Sequence, residues 1–352
     1  MTSWMRRLAG GGAIVVLALA GAVVAGPAAG AVTPRPTDDR STVIAVPPGG
    51  ALTATVIGGD SLIRMTVEPG HDVVVRGYGG EPYLRVGATG SVEVNRNSPA
   101  DSLNRTRDAD LSTPGAAPTD AIDWQPYQPG RTAVWHDHRI HAGTGAAVTD
   151  TVPWDIPITV DGVDGTISGH LERLPSPSPL PALILAALVA TAIYLVGRRR
   201  PLVATGIAVG AACLVAAVTG VLEWQALPAV VPRNAGLFLL PVGAAVALVV
   251  GLVVRRRTIR LVALLIAISL LAGWIAFRWS ILDRAVLISP LRPVVDRAGL
   301  ALVLGAAVAG AGLIVSWAGS VTVPSAGAAA GRRADRPSEP PSGPSPAPPP
   351  VT

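Results

Sequence analysis

Five long apolar stretches in the second half of the chain constrain its fold more than any other feature. Each contains about 17–21 residues without a charged side chain, and roughly 20 such residues cross a bilayer as an α-helix. A soluble domain has no surface with which to cover so many fully apolar helices. The chain is therefore predicted to be a multi-pass membrane protein, with spans at Leu180–Val196, Leu202–Leu222, Ala235–Val254, Leu261–Phe277 and Gly299–Ala318.

Charge is distributed unevenly along the 352 residues. Residues 32–178 carry 11 arginines against 18 acidic residues, whereas residues 179–352 carry 15 arginines against 5 acidic residues. The basic isoelectric point therefore comes from arginines that flank the spans, and the expected partner is the lipid bilayer rather than a nucleic acid. The only cysteine, Cys213, lies inside the second span. This excludes a disulfide within the chain and a metal site built from cysteines.

The amino terminus has the layout of a secretory signal peptide at residues 1–31. Arg6 and Arg7 precede the apolar run Leu8–Ala25, and the small residues Ala29–Ala31 follow it. An uncleaved anchor helix is the alternative, and both interpretations place residue 32 onward outside the cytoplasm. The arginines between the first and second spans and between the third and fourth are predicted to be cytoplasmic. The Pro-rich segment 319–352 is then a disordered cytoplasmic tail.

Residues 32–178 are predicted to form an all-β, sandwich-like extracytoplasmic domain, followed by the five-helix transmembrane domain at 179–318. Short runs rich in Val, Ile and Thr alternate with Gly- and Pro-containing turns. Asp161-Gly162 is a typical two-residue hairpin turn, and Ser98–Gln128 is predicted to be a long polar loop. Nine runs are expected to be strands: Thr42–Val46, Leu52–Ile57, Leu62–Val67, Asp72–Gly77, Tyr83–Val86, Val92–Asn95, Thr132–Trp135, Ile156–Val160 and Gly165–Leu171.

The segment Trp135–His141 contains the one group of residues with evident chemistry. Three of the five histidines of the chain, His136, His138 and His141, fall within it. If the segment is a strand, His136 and His138 share one face, and His141 joins them only where the chain turns. Three neutral imidazoles at this spacing are suited to Cu(II) or Zn(II). Asp137 would be a further ligand, or an acceptor that fixes the tautomer of a ligand ring.

Two other interpretations of this segment remain open at the level of sequence. The histidines, Asp137 and Arg139 can form a satisfied polar network around Trp135. Alternatively, Trp135, Arg139 and Trp154 can belong to a surface that recognises a partner. No catalytic residue is predicted, because the chain contains neither a Gly-x-Ser-x-Gly nor a His-Glu-x-x-His motif. The predicted span interiors lack ionisable residues, which favours anchoring over transport.

Three motifs resemble those of a group of actinobacterial multi-pass membrane proteins that has no assigned biochemical function. They are Trp-His-Asp-His-Arg-Ile-His at Trp135–His141, Pro-Trp-Asp-Ile-Pro at Pro153–Pro157, and Val-Asp-Gly at Val160–Gly162, followed by a Pro-rich entry into the membrane. The resemblance covers most of residues 60–200 and implies the same topology and domain layout. Members of this group often carry an aromatic residue directly after the last histidine, where this chain has Ala142.

The sequence thus predicts an integral membrane protein of the cell envelope that binds or scaffolds an envelope protein through its exported β domain. The alternative function is extracytoplasmic binding of copper or zinc by His136, His138 and His141. No other cofactor is expected.

Overall fold

The computed structural model describes residues 32–107, 121–141 and 151–320. The predicted signal peptide, almost all of the predicted tail and Ala142 lie outside the described residues. A β-sheet domain comes first and five long apolar helices follow it. The predicted fold class, an all-β domain followed by a five-helix bundle, is confirmed.

The β domain contains ten antiparallel strands among the described residues. They are β1 (Asp39–Ala45), β2 (Leu52–Ile57), β3 (Leu62–Val67), β4 (Val73–Arg76), β5 (Pro82–Val86), β6 (Ser91–Asn95), β7 (Trp124–Pro129), β8 (Thr132–Trp135), β9 (Val152–Val160) and β10 (Val163–Arg173). Seven of them form one sheet in the order β1-β10-β9-β4-β5-β6-β7, and the other three form a second sheet in the order β2-β3-β8. Side chains of both sheets share one apolar core.

The hairpin of β9 and β10 shows how the sequence produces this arrangement. Trp154, Ile156 and Ile158 alternate with exposed residues along β9, so one face of the strand enters the core. Val160 pairs with Val163 across the predicted turn, in which Asp161 has φ 50° and Gly162 has φ 81°. These positive φ angles match a two-residue hairpin turn, and the predicted turn at Asp161-Gly162 is therefore confirmed.

The other regular elements of the described chain are helices. A short helix, α1 (Pro99–Leu103), and all but the last residue of strand β7 lie inside the segment that is predicted from sequence to be a long loop. A segment with three prolines, Pro175–Pro179, then leads into the first long helix. The long helices are α2 (Leu180–Gly197), α3 (Pro201–Ala226), α4 (Gly236–Val253), α5 (Arg257–Phe277) and α6 (Pro293–Ser320).

Two of these helices extend beyond their predicted ends and bring charged residues into the bundle. Helix α3 includes Glu223, helix α6 includes Asp296, and Arg278 follows the last residue of α5. Arg278 Nη2 lies 2.8 Å from Glu223 Oε2 and 2.9 Å from Asp296 Oδ2. Arg278 and Asp296 are buried. These three residues lie just outside the predicted spans, whose interiors contain no charged residue. At this end of the bundle three helices meet through an ion-pair triad.

The β domain packs directly on two loops of the helical bundle. Thr37 and Val286 exchange backbone hydrogen bonds of 3.1 and 2.8 Å, and Asp38 accepts a 2.7 Å hydrogen bond from Arg284 Nη1. Val231, in the loop between α3 and α4, packs with Leu62 of the β domain. Both loops therefore lie on the same side of the bundle as the β domain.

Candidate metal centre

The three histidines are brought together by a change of secondary structure at the end of β8. Trp135 is the last residue of this strand and pairs with Ile63 of β3. A 3₁₀ turn follows at His138–Ile140, and the Asp137 side chain caps it by accepting a hydrogen bond from Arg139 N. Residues three apart in a 3₁₀ turn lie above one another. The turn therefore places His141 beside His138, which a continuous strand would not do.

The imidazole rings of His136, His138 and His141 form a compact triangle. The ring centroid of His136 lies 4.7 Å from that of His138 and 5.0 Å from that of His141. The centroids of His138 and His141 are 5.0 Å apart. One ring nitrogen from each residue lies within 4.8 Å of one from each of the others. This is the arrangement that the metal-binding hypothesis required.

Each imidazole ring is held by a hydrogen bond to a backbone carbonyl from a different part of the β domain. One carbonyl belongs to the turn before β3, one to the end of α1, and one to the segment after α1. The bonds join His136 Nδ1 to Ser61 O at 2.6 Å, His138 Nε2 to Leu103 O at 3.0 Å, and His141 Nε2 to Arg107 O at 2.8 Å.

These hydrogen bonds decide which nitrogen of each ring carries the proton. A carbonyl oxygen only accepts, so the nitrogen facing it is protonated and the opposite nitrogen carries the lone pair. The lone pairs are therefore on Nε2 of His136, Nδ1 of His138 and Nδ1 of His141. His136 Nε2 and His141 Nδ1 are buried, and neither has a hydrogen-bond partner among the described residues. Histidines that bind metals are oriented in this same way.

Burial keeps two of the rings neutral. Desolvation lowers the pKa of His136 to about 4, although the hydrogen bond to Ser61 opposes the shift. Desolvation, assisted by the positive charge of Arg107, lowers the pKa of His141 to about 3. A neutral imidazole is the form that binds a metal. At neutral pH, therefore, neither ring has to lose a proton before it binds a metal.

Asp137 does not face the imidazole triangle with a free oxygen. Its Oδ1 accepts from the backbone and Nε of Arg139, and its Oδ2 accepts from Arg139 Nη2 and Trp135 Nε1. Four hydrogen bonds occupy the four lone-pair sites of a carboxylate. Asp137, predicted as a metal ligand or as the acceptor that fixes a histidine tautomer, therefore has no free oxygen for a metal, and backbone carbonyls face the protonated ring nitrogens. Asp137, Arg139 and Trp135 instead form the satisfied polar network that was the competing interpretation.

The expected recognition surface is also not formed by its two tryptophans. Trp135 is 2% exposed and Trp154 is 5% exposed, and both belong to the core between the sheets. The Arg139 side chain is 17% exposed and lies over the Tyr78 ring, with 5.0 Å from its Cζ to the ring centroid. Apolar faces of large aromatic side chains are more favourably buried than exposed. The two tryptophans are therefore core residues, and Arg139 is largely enclosed by its contacts with Asp137 and Tyr78.

A buried ion pair supports the centre and is not apparent from the sequence. Asp60 Oδ2 lies 2.6 Å from Arg107 Nη2, and Arg107 Nη1 donates to Ser61 Oγ at 3.2 Å. Arg107 and Ser61 are also the residues whose carbonyls hold His141 and His136. The ion pair therefore connects the two segments whose carbonyl groups hold His136 and His141. The turn that contains Asp60 is recognisable from the sequence. The ion pair itself is not, because Asp60 and Arg107 are 47 positions apart in the chain.

Comparison of the chain with protein-family models, with curated proteins and with solved structures finds no match.

Proposed function

We propose that the protein is a membrane-anchored metal-binding protein of the cell envelope, and that His136 Nε2, His138 Nδ1 and His141 Nδ1 bind Zn(II) or Cu(II). The observation that carries this proposal is the set of three carbonyl hydrogen bonds. Each bond leaves one unprotonated nitrogen, and the three rings are so close that one ring nitrogen from each residue lies within 4.8 Å of one from each of the others. A polar network without a metal would gain nothing from buried lone pairs that lack partners.

The chemistry of three neutral imidazoles favours these two ions. Zinc binds imidazole nitrogens at about 2.0–2.1 Å, so the ligand nitrogens of a tetrahedral site lie about 3.3 Å apart. Small rotations of the histidine side chains would bring the triangle to that size. Copper(II) binds imidazole more tightly than other divalent ions of the first transition row. Three protein ligands leave one position on a tetrahedral ion for water or another small ligand.

The sequence and the packing of the β domain support a location of the proposed centre outside the cytoplasm. The arginine-rich connections between α2 and α3 and between α4 and α5 lie at the end of the bundle away from the β domain. With those connections in the cytoplasm, the β domain is extracytoplasmic and the chain leaves the last helix on the cytoplasmic side. The metal would be bound outside the cytoplasm, close to the membrane surface.

Titration of the full chain in detergent tests the proposal. The protein is stripped with EDTA, and Zn(II) or Cu(II) binding is measured by competition with a chromophoric chelator. One ion per chain is expected, and replacing His136 and His138 together by alanine is expected to weaken binding by at least about 100-fold, since two of three ligands are lost. The matched control is His170→Ala in β10, outside the triangle. Unchanged affinity in the double variant would contradict the proposal.

A further inference from the structure

A second polar site lies beside the histidine triangle, where the β domain meets the loop between α3 and α4. It is a cavity of about 380 Å³. Val230, Val231 and Pro232 of that loop form one wall, and the β domain forms the others. The polar side chains that matter for its chemistry are Arg96, Asp101, Asn104, Arg105, Gln128 and His136, the last of which also belongs to the histidine triangle.

The acceptor atoms of Asp101, Asn104 and Gln128 in this cavity are already occupied, which leaves His136 Nε2 as an acceptor without a partner among the described residues. Asp101 is buried, and both of its oxygens accept from Arg96 Nη1 while Oδ2 also accepts from Arg105 Nη2. The Asn104 Oδ1 oxygen accepts a short hydrogen bond from Tyr78. The Gln128 amide is used in full, because its Nε2 donates to Val134 O and its Oε1 accepts from Val134 N.

Hydrogen-bond donors, in contrast, remain in excess. Asn104 is 7% exposed, and its buried Nδ2 has no partner among the described residues. Each guanidinium group has five N–H donors in a planar fork, and the contacts of Arg96 and Arg105 with Asp101 use one terminal nitrogen of each. Two arginines against one aspartate also give the cavity a net positive charge. A buried amide donor without a partner is costly, and a ligand that only accepts hydrogen bonds would remove this cost.

We propose that this cavity binds an oxyanion, namely a phosphate group that is either free or carried by the head group of an anionic phospholipid. Arginine forks match the geometry of phosphate oxygens, and Asn104 Nδ2 supplies a third, directional donor. The wall formed by the loop between α3 and α4 places the cavity at the membrane side of the β domain, where a lipid head group is a second source of the same chemistry. The proposal does not depend on metal binding.

The experiment uses the metal-free full chain in detergent with EDTA present. Binding of inorganic phosphate is measured by isothermal titration calorimetry. In a second arm, the chain is placed in nanodiscs of phosphatidylcholine with or without phosphatidylglycerol, and its thermal stability is compared. Asn104→Asp retains the oxygen that Tyr78 contacts but replaces the free donor by a negative charge. The second variant combines Arg96→Gln with Arg105→Gln.

Arg85→Gln is the matched control. The Arg85 side chain is 40% exposed and pairs with Asp72, whereas that of Arg96 is 39% exposed and pairs with Asp101. Only the second pair lines the cavity. We expect both cavity variants to weaken phosphate binding, or stabilisation by phosphatidylglycerol, at least tenfold. We expect Arg85→Gln to leave both unchanged.

The two arms identify the source of the phosphate. Phosphate binding that the cavity variants weaken supports a free ligand, and stabilisation by phosphatidylglycerol that the same variants abolish supports a lipid head group. Absence of both responses in the unmodified chain would overturn the proposal. Equal responses of the cavity variants and the unmodified chain, with folding confirmed by circular dichroism, would overturn it as well.

Discussion

At the scale of single residues, the candidate centre depends on where protons are, because a histidine that donates from one nitrogen can bind a metal only through the other. The carbonyls of Ser61, Leu103 and Arg107 fix this choice for all three rings. Burial adds a second effect, since it keeps His136 and His141 neutral well below neutral pH. Both side chains therefore stay neutral in the folded protein at pH values at which they are charged in the unfolded chain. The free energy of unfolding consequently depends on pH.

The metal-free protein is expected to lose stability as the pH falls from 6.5 toward 4. His136 titrates near pH 6.5 when unfolded and has a pKa of about 4 when folded. The unfolded state therefore binds more protons in this interval, so its free energy falls relative to that of the folded state. The loss is about 3 kcal/mol for His136 alone, at about 1.4 kcal/mol per pH unit.

This pH dependence can be measured by urea unfolding in detergent and EDTA, followed by tryptophan fluorescence. His136→Gln removes the titrating group and should flatten the slope between pH 6.5 and 4, whereas His170→Gln should retain it. Stability that rises on acidification through this interval would contradict a buried neutral His136.

At the scale of secondary structure elements, a single substitution of Asp137 distinguishes a structural role of this residue from a role as a metal ligand. It caps the 3₁₀ turn and pairs with Arg139 while fully buried. Although burial opposes the shift, the hydrogen bond and charge of Arg139 lower the pKa of Asp137 below its ordinary value. Asp137→Asn should therefore destabilise the domain by about 3 kcal/mol, because a largely buried arginine loses its partner.

The same Asp137→Asn variant should retain one metal ion per chain, since no free oxygen of Asp137 faces the histidines. Chemical denaturation measures the loss of stability, and chelator competition measures metal binding. Loss of metal binding in variant protein that remains folded would show that the carboxylate is a ligand after all.

Elements with a clear alternation of side chains are predictable from the sequence, whereas those that depend on tertiary contacts are not. Strands such as β9 alternate buried and exposed residues and are recognisable. Strand β7 is not predicted from the sequence and overlaps the end of a predicted loop, because it is an edge strand with prolines at positions 126 and 129 and no buried residue. Within the candidate centre, the three histidines are identifiable, but the turn that joins them and the Asp60–Arg107 ion pair are not. No local pattern encodes a contact across 47 positions.

At the scale of the whole molecule, the ion-pair triad at the end of the bundle holds three helices together. Arg278 lies between Glu223 and Asp296, and the Asp296 side chain is fully buried. Asp296→Asn should lower the free energy of unfolding by about 3–5 kcal/mol, because it leaves a buried guanidinium partly uncompensated. Unfolding in mixed detergent micelles measures this, with the exposed Asp283→Asn as control. Equal stability of the two variants would mean that the triad contributes nothing.

Sidedness is the last property of the whole molecule, and it determines whether the candidate metal centre faces the cell exterior. Val163 is 70% exposed on the β domain, and Arg256 is exposed at the opposite end of the bundle, between α4 and α5. With the buried Cys213 replaced by alanine, single cysteines are introduced as Val163→Cys and Arg256→Cys. A maleimide that does not cross membranes should label Val163→Cys in intact cells and Arg256→Cys only after lysis, because basic connections remain in the cytoplasm. Labelling of both variants in intact cells would contradict the proposed orientation, and labelling of Arg256→Cys alone would place the histidines on the cytoplasmic side.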